Sequence, residues 1–183
     1  MSDIGILQEM IKDAAKVSLT SVGNRKQVTL TESQQAGSSV TIYGLPDEVV
    51  VIKADAFRSP DTVFNGSRGE CKRADFVIVA DTVNRKIILC IEMKATKGPL
   101  QEIIHQLTGT RCFVAYCREI GLGFWNKRDF LDGYTQRFIT IGHTSIPKKK
   151  TRISRQEGAH DRPDRMLKID WPHYLEFNHL AGA

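Results

Sequence analysis

Ala74-Asp75-Phe76-Val77-Ile78-Val79-Ala80, then Asp81-Thr82-Val83-Asn84-Arg85, then Lys86-Ile87-Ile88-Leu89-Cys90-Ile91-Glu92-Met93-Lys94 is the stretch that decides the fold. Its two outer runs are apolar and β-branched and read as strands over Ala74–Ala80 and Lys86–Met93. The polar residues between them read as a hairpin turn. Apolar residues at consecutive positions predict that both faces of each strand are covered. Asp75 opens the first strand, and Glu92 ends the second inside its apolar run. A hairpin turning near residue 83 sets these two acids close to opposite each other. Two carboxylates held that close repel, and an acid buried without a partner is costly. A divalent cation bridging them resolves both problems.

Glu92 and Lys94 are two residues apart, so a strand presents them on one face. That face then holds two carboxylates and one ammonium, a set suited to phosphodiester hydrolysis. Hard oxygen ligands hold Mg²⁺ (or Mn²⁺), which keeps several waters and a place for phosphate. Such a cation lowers the pKa of a bound water and neutralises charge developing on phosphorus. Lys94 is placed to orient or deprotonate the attacking water, or to stabilise the transition state. Met93, between the two, offers its backbone carbonyl as a further oxygen ligand.

Working outward, Ser2–Val17 reads as a helix, with Ile4, Leu7, Ile11 and Ala14 at three- and four-residue spacing. Residues 20–39 are polar with no strong period, apart from a short strand around Val28. Val40–Tyr43 and Glu48–Ala54 read as strands split by a turn at Gly44-Leu45-Pro46-Asp47. Phe57–Gly69, punctuated by Pro60, Gly66 and Gly69, reads as a loop. Pro99 starts a helix that runs to about Thr108. Arg111–Arg118 reads as a further strand, Phe138–His143 as another, and the aromatic tail Trp171–Ala183 as a short docked helix. The expected class is α/β (α+β), a single domain over 1–183 with a mixed central sheet flanked by helices.

The chain has 183 residues, of which 41% are hydrophobic and 26% charged. That length buries roughly 70% of the unfolded surface, enough for a core without staples. No apolar run approaches the roughly 20 residues of a membrane span, and the N-terminus lacks the basic and apolar regions of a secretion signal. Cys71, Cys90, Cys112 and Cys117 form no C-x-x-C pair, which argues against zinc and fits a reducing, cytoplasmic setting. The charge is uneven. A segment at about 147–168 carries Lys148, Lys149, Lys150, Arg152, Arg155, Arg162, Arg165 and Lys168 against Glu157, Asp161 and Asp164. That excess equals the whole net charge of +5. A local basic tract in a neutral body points to a polyanionic partner.

A strand-opening Asp followed within thirty residues by Glu-x-Lys at a strand end resembles the P-D-(D/E)-x-K nuclease superfamily, the restriction-endonuclease-like group. The resemblance covers roughly Glu70–Cys117. It implies Asp75 and Glu92 as metal ligands and Lys94 as the catalytic lysine. It further implies an acid from an N-terminal helix, which Glu9 matches in position, and a helical glutamine after Glu-x-Lys, which Gln106 matches. The first half of the motif departs from the pattern, reading Arg73-Ala74-Asp75; a literal Pro60-Asp61 lies upstream in the expected loop. Lys72, Arg73 and Lys97 flank the site as phosphate contacts, and Lys148, Lys149, Lys150, Arg152 and Arg155 would track the backbone. The implied function is a metal-dependent endonuclease of the restriction, defence or repair type, with DNA favoured over RNA. An RNase or toxin using the same site, or a non-cutting binding module, are the alternatives. Double-strand cutting from one site per chain would call for a homodimer. His160, His173 and His179 match no zinc-ligand spacing.

Overall fold

A computed structural model describes residues 1–32, 38–82, 84–95, 98–142, 160–170 and 175–182. In chain order the elements are α1 (Asp3–Met10), β1 (Thr20–Val22), β2 (Arg25–Thr31), β3 (Ser39–Leu45), β4 (Glu48–Lys53), β5 (Phe76–Asp81), β6 (Lys86–Lys94), α2 (Leu100–Trp125), β7 (Thr135–Gly142), β8 (Leu167–Asp170), β9 (Leu175–Glu176) and α3 (Phe177–Leu180). The expected hairpin is present: β5 and β6 are antiparallel and pair from Phe76↔Ile91 to Asp81↔Lys86. β4 lies antiparallel on the other side of β5. α2 then crosses over, so that β7 returns parallel to β6, and β8 adds parallel to β7. The result is a mixed five-stranded sheet in the order β4-β5-β6-β7-β8.

Alternation along β6 sorts its side chains into two cores. Ile88 and Cys90 pack with Ile4, Ile6 and Leu7 of α1 and with Ile103, Leu107, Phe113, Val114 and Cys117 of α2. Ile87, Leu89, Ile91 and Met93 pack the other way, against Val28, Leu30, Val40 and Ile42. Those last four belong to a second sheet, ordered β1-β2-β3-β9. Both faces of the hairpin are covered, as its unbroken apolar runs require. The cover is uneven, however: helices lie on one face and a sheet on the other, where helices on both faces were the simplest expectation. The class is mixed α/β with two sheets.

Three local expectations change. The first helix stops at Met10, and a short 3₁₀ turn at Asp13–Ala15 follows. Arg111–Arg118 is helix, not strand, and continues α2 without a break from Leu100 to Trp125. Its apolar residues look contiguous in sequence, but the buried ones are Ile103, Leu107, Thr110, Phe113, Val114, Cys117 and Gly121. Spacings of three and four are one helical face. The polar stretch 20–39 holds β1 and the whole of β2, longer than the short strand expected around Val28, because only one face of β2 is buried. Val83, His143, Trp171 and residues 147–159 of the basic segment lie outside the described residues. Among the described residues, no helix is long and apolar enough to cross a membrane.

Candidate functional site

The β5–β6 pairing ends at Phe76↔Ile91; one step further in the same register, Asp75 would stand opposite Glu92. The approach of Asp75 is fixed from three directions. The preceding residue, Ala74, donates its N–H to the Gln106 carbonyl (3.0 Å) and to the Thr110 hydroxyl (2.7 Å), both on α2. The Asp75 carbonyl accepts from the N–H of Ala54 at 2.8 Å. The Asp75 carboxylate accepts from the backbone N–H of Met93 at 2.6 Å. In a strand the N–H and C=O of one residue point the same way, so the Met93 carbonyl is also turned toward the Asp75 side.

Glu92 and Lys94 share the face that looks toward α2, since Ile91 and Met93 between and beside them face the second sheet. Glu92 is only 1% exposed. Its Oε1 is 2.8 Å from the Lys94 ammonium, while its Oε2 is buried and has no hydrogen-bond partner among the described residues. The stem of Lys94 runs past Gly98, where a side chain would meet it at 3.6 Å. Gln106 stands on the wall of the site through its backbone link to Ala74, and its side-chain oxygen is likewise buried and has no partner among the described residues.

Burial, joined by the charge of Asp75, pushes the Glu92 carboxyl up to about 8. The hydrogen bond from Lys94 acts the other way and is outweighed. Burial also raises Asp75, to about 6, against the bond from Met93 and with help from the charges of Asp55 and Glu32. For Lys94, burial lowers the pKa, but its bond to Glu92 and the charges of Glu92, Glu102 and Asp75 prevail and raise it. The site therefore carries more carboxylate than its single lysine offsets.

That excess, with two buried oxygens that lack donors among the described residues, is the donor chemistry a hard divalent cation satisfies. Asp75, Glu92, the Met93 carbonyl and the Gln106 amide oxygen are the groups that fit it. Among the described residues, no three side chains of His, Cys, Asp or Glu stand close enough to hold a metal by themselves. Carbonyl oxygen and water would complete such a shell.

Other expected residues fall elsewhere. Glu9 accepts from the indole of Trp125 at 3.2 Å, at the far end of α2. At about 1.5 Å per residue, Trp125 lies roughly 28 Å along the helix from Gln106, so Glu9 is not brought to the site. Glu70 caps the N–H groups of Gly66 and Arg68 in an exposed turn, and Asp61 lies in an exposed turn before it. Lys72 pairs with Glu102 of α2 at 3.3 Å. Arg73 donates to the Phe57 carbonyl and lies over the Phe57 ring. These two therefore fasten the 66–74 loop in the free protein. Lys97, Lys148, Lys149, Lys150, Arg152 and Arg155 lie outside the described residues.

The sequence reading missed Asp55, Glu32 and Glu102, whose charges bear on the site. Asp55 follows β4, and its N–H approaches the Asp75 carbonyl at 3.5 Å. Glu32 directly follows β2 of the second sheet, and the Ser38 hydroxyl donates to it. Only pairing between distant segments gathers these acids, and no short motif signals them. No family model, curated protein or solved structure matches the chain.

Proposed function

We propose that this chain is a divalent-cation-dependent nuclease of the restriction-endonuclease-like type, with duplex DNA as its substrate class. The observation that carries the reading is the Asp75 carboxylate bonded across the hairpin to the N–H of Met93, next to the buried Glu92, with Lys94 2.8 Å from Glu92. The order of hairpin, helix and parallel strand around it supports the same reading.

Asp75 and Glu92 would hold Mg²⁺ or Mn²⁺, with the Met93 carbonyl as a further ligand. When bound, such a cation supplies an acidified water and offsets charge that develops on phosphorus. Asp75 is held by Met93 through one oxygen, which would leave its other oxygen for the cation. Glu92 uses one oxygen on Lys94 and keeps the other for the cation. Lys94, positioned by Glu92, is the residue to meet a phosphate oxygen or hold the attacking water. The Gln106 backbone carbonyl, bonded to the Ala74 N–H, fixes α2 beside Asp75. Preference for DNA rests on the basic tract and on the resemblance; the catalytic set itself does not read the sugar.

The test is incubation with supercoiled plasmid, single-stranded DNA and RNA, in Mg²⁺ and in chelator. Cleavage in Mg²⁺ alone that is lost in Asp75→Ala, Glu92→Ala and Lys94→Ala is the expected result. Retention in all three overturns the assignment. The lack of a third acid within ligand distance among the described residues favours a second reading, a module that grips nucleic acid without cutting it. Binding without uptake of Mn²⁺ would support that one.

A further inference from the structure

The polar row that starts at Glu92 does not stop at β6. In register, Glu92 pairs with Thr140 of β7, and Thr140 pairs with Lys168 of β8. Leu167 and Ile169 are buried in the core shared with the second sheet. Lys168 between them is therefore turned to the opposite face, the one that carries Glu92 and Lys94. β8 is the edge strand, and Lys168 is exposed there. Two strand spacings put its Cα about 10 Å from that of Glu92.

The charges around Lys168 are already paired off. The Arg162 guanidinium is bonded to Asp164, and that of Arg165 to Asp161, each at 2.6 Å. Among the described residues, Lys168 has no ion-pair partner. Asp170 is on the same face one row further on, and its carboxylate leans over Gly142: a side chain there would come within 2.6 Å of it. Gly142 pairs with Lys94. The rows thus alternate, Glu92–Thr140–Lys168 and Lys94–Gly142–Asp170, so cations stand on a diagonal across the sheet with small residues between them. Thr140 between them is buried and the Asp170 carboxylate covers Gly142, so a polyanionic strand meets the two lysines, Lys94 at the site and Lys168 at the exposed sheet edge, rather than β7 itself.

Resting on the nuclease reading, we propose that Lys168 binds a backbone phosphate flanking the one that is cut, so that the substrate strand leaves the site toward the edge strand β8. Phosphate contacts of this kind set position and affinity and carry no base reading.

The test uses the full chain and a short fluorescein-labelled DNA duplex, with Ca²⁺ in place of Mg²⁺, across roughly 50–200 mM salt. Lys168→Ala is expected to weaken binding severalfold and make the log K against log salt slope shallower by about one. Lys168→Arg retains both. Lys53→Ala, on the opposite edge strand, serves as the control and changes neither. In Mg²⁺, Lys168→Ala raises KM and leaves kcat in place. A Lys168→Ala protein that binds with the wild-type affinity and slope overturns this inference alone. A wild-type protein that binds neither duplex, single-stranded DNA nor RNA overturns the nuclease reading, and this one with it.

Discussion

The carboxylate of Asp75 accepts a hydrogen bond from the backbone N–H of Met93 at 2.6 Å. The bond ties the acid that opens one strand to the backbone of the strand that carries Glu92. The spacing of the two carboxylates is thus set by the hairpin rather than by free rotamers. Asp75→Asn keeps an acceptor for that N–H but removes the charge. It is expected to keep the wild-type Tm or exceed it, because burial opposes the charged form of Asp75. Its affinity for Mn²⁺ falls at least about tenfold, the scale on which losses of supporting groups are felt, and cleavage is lost. Thermal melts and calorimetric titration read the two effects separately. A loss of fold together with binding would mean that Asp75 is structural.

The same two acids give the cation-free protein a pH dependence of unusual sign. Glu92 titrates at about 8 in the folded protein against an ordinary 4.5, and Asp75 at about 6 against 3.8. Over that window the folded chain holds protons that the unfolded chain has released. Stability then falls as pH rises, and the fall is complete once pH passes the folded value of Glu92. In chelator, Tm should decline between about pH 5 and pH 8.5. Glu92→Gln, which cannot ionise, should flatten the decline. An unchanged slope in Glu92→Gln would show that other groups control it.

A cation entering the site must displace that proton. Metal ligands bind in their deprotonated form, so uptake releases protons and affinity climbs with pH. Mn²⁺ affinity is expected to rise between about pH 6 and pH 8 and to level off above the Glu92 value. Titration calorimetry in two buffers of different ionisation heat counts the proton directly. Binding heats that do not depend on the buffer near neutral pH would exclude Glu92 as a ligand.

How much of this was legible in the sequence depends on the range of the interaction. The Glu92/Lys94 relation needs only the period of a strand, and Asp75 needs only one hairpin; both were readable. α2 was cut short because Phe113, Val114 and Cys117 crowd a stretch that also satisfies a strand pattern. The helical period there shows only over the longer window back to Ile103. β2 was half seen, since its outward residues are polar and only Val28 and Leu30 are fully buried. Glu9 was placed by analogy with a helical acid, and a shorter α1 docked near the end of α2 puts it at Trp125 instead. Asp55 and Glu32 come from different sheets, and nothing local announces that they meet at one site.

The grip of α2 on the Asp75 segment can be tested through two glycines of the same helix. At Gly109 a Cβ would collide with the backbone carbonyl of Lys72, which cannot swing aside as a side chain could. Gly109→Ala must therefore push the 72–75 segment off α2, stretching the bonds from Ala74 to Gln106 and Thr110. Overpacking of this kind costs about 1–3 kcal/mol, and here it also moves Asp75 away from Glu92. At Gly123 a Cβ meets nothing within 4 Å, so alanine there adds helix propensity worth up to about 1 kcal/mol. Urea denaturation should show the two substitutions moving stability in opposite directions. Cleavage should fall in Gly109→Ala and stay at the wild-type level in Gly123→Ala. If Gly109→Ala loses stability but keeps full cleavage, the position of Asp75 is set by the hairpin bond to Met93 alone, and α2 serves only to cover it.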